Sequence, residues 1–196
     1  VDTEARDQDD GRYFEASKML TLPHANVAIA GRGDTAFVNV LFSLLHNNVA
    51  ASFDAYEDVM PALLAQAMAY LKGSGLVFKR PVDEPGIAIV GTSRDRGSMW
   101  CVTYQSKDDT GFTAQDIDNV YLSPWAEAWG RDGLQATTPH HAQVISQEQV
   151  AKTLEGDPAA AIGGRLLLAE VTRDDLRLST LERLSTLERL SNRAST

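Results

Sequence analysis

Residues 26–42, "NVAIAGRGDTAFVNVLF", join a short apolar run to a double-glycine turn and then to a stretch with helical spacing. The run "ANVAIAG" predicts a short buried strand. Asp34 follows, placed so that its carboxylate can accept from the free N–H groups of a first helical turn. Phe37, Val40, Leu41, Leu44 and Leu45 then fall at i, i+3, i+4, i+7 and i+8, one apolar face of a helix that should stop near His46-Asn47-Asn48. Met60, Leu63, Leu64, Ala67 and Leu71 form a second such stripe. Asp58 is expected to cap this helix, with Pro61 in its first turn and Gly73 and Gly75 at its end.

The flanking segments read as β. "VDTEAR" and "RYFEASKML" surround "DQDDG", where Asp10-Gly11 signals a tight turn. "GIAIVGTS" and "SMWCVTYQ" form a hairpin through "RDRG", and both strands are apolar on both faces, so their sheet is expected to be covered on each side. Residues 111–145 show no clear period. Ser146 with Gln149 makes a capping box for a short helix ending at Gly156, and "GGRLLLAEVT" reads as a last strand. Beyond it, residues 177–191 repeat a six-residue unit in tandem, "RLSTLERLSTLERLS". Leu178, Leu181, Leu184, Leu187 and Leu190 recur every three residues, a spacing that drifts around an α-helix. The segment is expected to pack loosely or to reach a neighbouring chain. The order is hairpin, strand, two consecutive helices, hairpin, irregular segment, helix, strand: α+β with an antiparallel sheet. It fits a single domain over residues 1–176 and a repetitive C-terminal tail over 177–196.

Composition narrows the function classes. The 196 residues, 43% hydrophobic and 23% charged, describe an ordinary globular chain able to bury a core without metals or disulfides. A net charge of −9 argues against a nucleic-acid surface, which needs clustered Lys and Arg. No apolar run approaches the ~20 residues of a membrane span. The N-terminal "VDTEARDQDD" has no signal-peptide pattern, and a lone Cys101 fits a reducing compartment, so the expected location is cytoplasmic.

Few positions suggest chemistry. Gly31, Gly33 and Ala36 match the dinucleotide fingerprint G-x-G-x-x-A, with Asp54 at the distance of the ribose-binding acid. That reading needs a parallel βαβ unit, whereas a second helix follows here. Arg32-Gly33-Asp34 is a tripeptide some cell-surface receptors read, but strand-turn-helix geometry already explains its glycine and aspartate. His140-His141 have no partner at metal-ligand spacing and read as loop. Cys101, mid-strand, reads as a buried small hydrophobe, and Trp125 with Trp129 as an apolar anchor in a core or a subunit contact. No metal and no cofactor are expected.

The series "VDTEAR…EASKML…HANVAIAGRGDTAFVNVLFSLL…FDAYEDVMPALLAQAMAYL…GIAIVGTSRDRGSMWCVTYQ" resembles the β-type subunits of proteasomes and their bacterial two-ring relatives, which are N-terminal-nucleophile hydrolases. The likeness covers about residues 1–104, and "GGRLLLAEVT" resembles the family's closing strand. It implies a four-layer αββα sandwich, with the first strand missing from this sequence. Carried over by position, Asp2 falls on the family's strand aspartate and Lys18 on its active-site lysine. There an ammonium lowers the pKa of a threonine hydroxyl and a carboxylate holds the ammonium. Gly31 falls where a backbone N–H stabilises the oxyanion.

Two functions follow from the resemblance. The first is a non-catalytic subunit that keeps the sandwich and self-associates into a ring or larger assembly, for instance with other subunits of a bacterial or viral particle. It rests on Val1, which occupies no nucleophile position and fits simple Met removal. The second is a threonine-type endopeptidase subunit whose nucleophile strand is absent from this sequence, favoured by the retained Asp2 and Lys18. Nucleotide binding through Gly31 and Gly33 comes third.

Overall fold

A computed structural model describes residues 4–6, 13–74, 85–106, 111–117 and 164–184. They belong to two compact units, one of Lys18–Asp118 with Ala169–Arg177, the other of Val1–Ser17, Asn119–Leu168 and Leu178–Thr196.

Five antiparallel strands build the sheet of the first unit: β3 (Met19–Leu22), β4 (Val27–Arg32), β5 (Gly86–Ser93), β6 (Ser98–Ser106) and β7 (Phe112–Asp116), hydrogen-bonded in that order. Register follows the apolar alternation. Leu20 pairs with Ile29 and Leu22 with Val27, Ile29 pairs with Ile89, and Ile89 with Val102, so one face collects the large side chains. Helices α1 (Thr35–Asn47) and α2 (Phe53–Gly73) complete the core with this face. Phe37, Leu41 and Leu45 of α1 and Phe53, Tyr56, Met60, Leu64 and Ala67 of α2 are fully buried. Each such large apolar side chain contributes about 1.5–3 kcal/mol. The opposite face of the sheet is built of small residues: Ala28 and Thr103 are buried, while Ala30, Ala88, Val90 and Cys101 are half-buried. Close packing on the helical face depends on a missing side chain. A Cβ on Gly91 would lie 2.8 Å from the Phe53 ring and 3.1 Å from the Asn26 carbonyl oxygen.

Two expected helix termini fare differently. Asp34 caps α1 as expected, accepting from the N–H groups of Ala36 and Phe37. Asp58 does not cap α2. The helix begins five residues earlier, capped by Ser52, whose Oγ accepts from Ala55 N–H at 3.2 Å. Pro61 therefore sits inside the helix, not in its first turn. Proline has no N–H to give the carbonyl four residues back. That carbonyl belongs to Glu57, and the Tyr104 hydroxyl of β6 donates to it across 3.4 Å. At the other end Gly73 is the last helical residue, and Ser74 closes the turn, its hydroxyl donating to Leu71 and its N–H to Tyr70.

The strands also depart from expectation in three places. "RYFEASKML" is not one strand: Tyr13–Glu15 is β2, paired antiparallel with β1 (Glu4–Arg6), and β3 begins separately at Met19 in another sheet. β7 lay in the segment without a period. It is an edge strand whose residues after Phe112 are exposed, so it carries no alternation to read. Phe112 itself stacks on Phe37, ring centroids 5.6 Å apart. Finally β8 (Gly164–Val171) is a strand as expected but not the last. β9 (Leu176–Leu184), its hairpin partner, runs into the hexapeptide repeat. Ser146 to Gly156, Trp125, Trp129, His140 and His141 lie outside the described residues. Among the described residues no helix is long and apolar enough to cross a membrane.

Candidate functional site

The glycine turn joins β4 to α1, and its local chemistry is complete without a ligand. Gly33 adopts φ +94°, a backbone conformation that glycine takes without steric cost. Asp34 then occupies the N–H groups of Ala36 and Phe37, the donors a bound phosphate would need. β4 is flanked by two antiparallel neighbours, so no parallel βαβ unit surrounds the turn. Asp54 lies in the first turn of α2. These placements contradict the dinucleotide reading of Gly31 and Gly33.

Gly31 is a buried strand residue opposite Ile87, not a turn residue. A Cβ there would press on Val38 at 3.0 Å and on Ile87 at 3.3 Å, so glycine lets α1 approach the sheet. Its N–H donates to the Lys18 main-chain carbonyl at 2.8 Å. The structure thus brings Lys18, half-buried just before β3, against Gly31 through the backbone. Asp2 lies outside the described residues.

A second polar locus joins the start of α2 to the β5–β6 turn. The Asp54 carboxylate accepts from the buried Ser93 hydroxyl at 2.6 Å and from Arg94 N–H at 2.8 Å. Burial works against its charge, but these two bonds, a further backbone N–H from Asp95 and the Arg96 guanidinium outweigh it and hold the pKa below the usual 3.8. Arg96 makes a bidentate pair with Glu57, 2.7 and 2.9 Å, and lies over the Trp100 ring at 4.9 Å from its centroid. The Glu57 hydrogen bond raises the Arg96 pKa, so this cation is permanent. Trp100 Nε1–H donates to Asp116 on β7. Burial first, then the Glu57 charge, push the Tyr104 phenol up to about 12, so it stays protonated and able to donate. Burial also pushes the Cys101 thiol up to about 11, consistent with a small hydrophobe and not a nucleophile.

Beside this network an open groove of about 420 Å³ is lined by His24, Asn26, Ser52, Thr92, Arg94 and Arg173 among others. His24 Nε2 lies 3.1 Å from the Ala50 carbonyl and 3.2 Å from the Tyr56 hydroxyl, tying the β3–β4 turn to α2. Asn26, in the left-handed region at φ 53°, donates through Nδ2 to the Thr172 and Arg173 carbonyls of the β8–β9 turn. The arrangement supplies donors and structural ties. Among the described residues no group of three or more His, Cys, Asp or Glu could hold a metal ion. Sequence reasoning missed Asn26, Ser93 and Arg96, whose partners stand up to 147 residues away in sequence. The one local signal was Asn26 itself, a residue tolerant of positive φ directly before a strand.

Antiparallel strands with two consecutive helices against one sheet make an α+β fold. The structure is similar to that of Anbu (ancestral beta-subunit) from Yersinia bercovieri, with a TM-score of 0.52 and 13% identity, over 95% of this chain and 78% of that one. At that identity the likeness is one of fold. No family model matches the sequence, and no curated protein matches it.

Proposed function

We propose that the chain is a non-catalytic, oligomer-forming subunit built on a proteasome-like four-layer sandwich, serving in a larger bacterial or viral assembly. One observation carries the non-catalytic part: the Gly31 N–H, which the family likeness would aim at an oxyanion, is already donated to the Lys18 carbonyl. An oxyanion donor must point at the position where charge develops. Turning this amide to a substrate would break the bond between the residue before β3 and β4. The sandwich is supported by the second face of the sheet, whose small, buried and half-buried residues suit a second layer. Self-association is supported by the fold likeness alone.

A specific contact favours a second reading, a threonine-type endopeptidase. The same backbone bond sets Lys18 directly beside Gly31, the two described positions the likeness would unite in one site with Asp2. The test is peptide hydrolysis by the product of the native gene, with all upstream coding sequence included. A non-catalytic subunit gives no turnover of fluorogenic peptides above that of its Lys18→Ala variant, and both show the same assembled mass. Turnover that Lys18→Ala abolishes, from a mature chain beginning with Thr, Ser or Cys ahead of Asp2, would overturn the proposal in favour of the peptidase.

A further inference from the structure

The outward faces of the two helices differ in kind. On α1 the exposed positions are Asn39, Ser43, His46 and Asn47, all polar. That is the usual division of a helix that packs one side on a core. On α2 the segment 59–71, "VMPALLAQAMAYL", contains no charged side chain. Met60, Leu63, Leu64, Ala67 and Leu71 go to the core. The outward positions stay apolar as well: Val59 is 38% exposed and Tyr70 64%, and Pro61, Ala62, Ala65 and Ala69 are exposed between them. Gln66 is the one exposed polar side chain of the segment. Helix formation does not demand this, because Glu, Lys and Arg are nearly as good helix formers as Ala. Charge returns at the two ends, with Asp58 before the segment and Lys72 after it, both exposed. At about 100° per residue, Asp58, Ala62, Ala65, Ala69 and Lys72 fall within about 40° either side of one line down the helix, its ends about 21 Å apart.

We propose that this face docks a second copy of the chain, with the two α2 helices antiparallel about a two-fold axis near Ala65. The inference rests on the self-association proposed above and names the surface that carries it. The charges at the ends select both the occupant and the direction. A two-fold near Ala65 sets Asp58 close to Lys72 of the partner subunit, and does so at both ends of the pair, because the contact is isologous. Parallel helices would instead set Asp58 beside Asp58 and Lys72 beside Lys72. In the antiparallel pair Ala62 faces Ala69 of the partner subunit, and Ala65 lies near its own copy. Side chains no larger than methyl groups let the axes approach to about 8 Å, the close end of the range for packed helices. Val59 and Tyr70, on one side of the line, then cover the seam. A single helix face is smaller than the ~800 Å² per partner of a stable interface, so the contact acts alongside others in the assembly. It joins two halves of a closed oligomer and makes the number of protomers even.

Cysteine cross-linking and native mass spectrometry of the native gene product test this together. In a Cys101→Ala background, Ala65→Cys should form a disulfide-linked dimer on mild oxidation, because its Cα lies within disulfide reach of its own copy. Ala62→Cys and Ala69→Cys should each stay unlinked alone, about 11 Å from their own copies along the axis. Mixed and reassembled, those two variants should link to each other. Ala65→Glu places two like charges at the two-fold and should halve the assembled mass, with the circular dichroism of the natural chain retained. Linking by Ala62→Cys alone would overturn the antiparallel arrangement. An oligomer in which Ala65→Cys fails to link and Ala65→Glu keeps the full mass would overturn the inference while leaving self-association intact. A natural chain that is monomeric at every concentration would overturn both.

Discussion

Pro61 and Tyr104 show how a single residue can mislead a reading of the chain. Proline is common at the start of a helix, and Asp58 three positions earlier made a plausible cap. In the fold Pro61 is interior, its cost reduced by a tyrosine hydroxyl from another strand that reaches the orphaned Glu57 carbonyl. Nothing local to Pro61 announces that donor. Tyr104→Phe should lower stability by up to about 1 kcal/mol in urea unfolding and do so only while Pro61 is present. In Pro61→Ala, where the helix regains its own N–H, the same change should be nearly neutral. Gly91 makes the opposite case. A mid-strand glycine gives no signal of its role, yet its Cβ position is filled by the Phe53 ring. Gly91→Ala should cost about 1–3 kcal/mol by overpacking. Cys101 was legible in part: it stands mid-strand as read, but half-buried and not buried. With its thiol pushed from 9.0 to about 11, alkylation at pH 8 should run roughly a hundredfold slower in the folded chain than in urea.

At the scale of elements, the cap and the end of α1 were legible because both are local, but its stripe was read one step off: Val38 and Phe42 are buried with Phe37, Leu41 and Leu45, whereas Val40 and Leu44 are only partly buried. The stripe of α2 was legible, but its first turn was not. Ser52 lacks the glutamate three residues on that would complete a capping box, and Ala55 stands there instead. The two candidate caps separate cleanly: Ser52→Ala should destabilise by about 1 kcal/mol, whereas Asp58→Ala, at an exposed mid-helix position, should change stability by less than about 0.5 kcal/mol. The clasp between α2 and the β5–β6 turn adds a pH dependence. The folded Asp54 pKa lies below its ordinary 3.8, so the carboxylate contributes stability above that value, and the contribution is lost as pH falls through 3.8 toward the lower folded pKa. In acid unfolding the Asp54→Asn variant should show a smaller loss of stability below pH 4 than the natural chain, from a lower starting stability at pH 7. Edge elements were the illegible ones. β7 is too polar for alternation, and β9 hides in a repeat whose leucine spacing fits neither a strand nor a helix.

At the scale of the molecule, the order strand, helix, helix, hairpin is what made the fold class readable before any contact was known. The likeness to a solved structure at 13% identity is likewise one of fold. The site was less readable. Lys18 and Gly31 were named from a family pattern, and the structure joins them by a main-chain bond that no side-chain pattern encodes. The opposite face of the sheet, small and buried or half-buried, and the backbone use of Gly31 support the account of an assembling subunit without peptidase chemistry. Native mass spectrometry of the native gene product tests that account most directly. The account predicts a closed oligomer, a mass that is an integral multiple of the protomer and persists on dilution through the micromolar range. A protomer that stays monomeric at every concentration would contradict it.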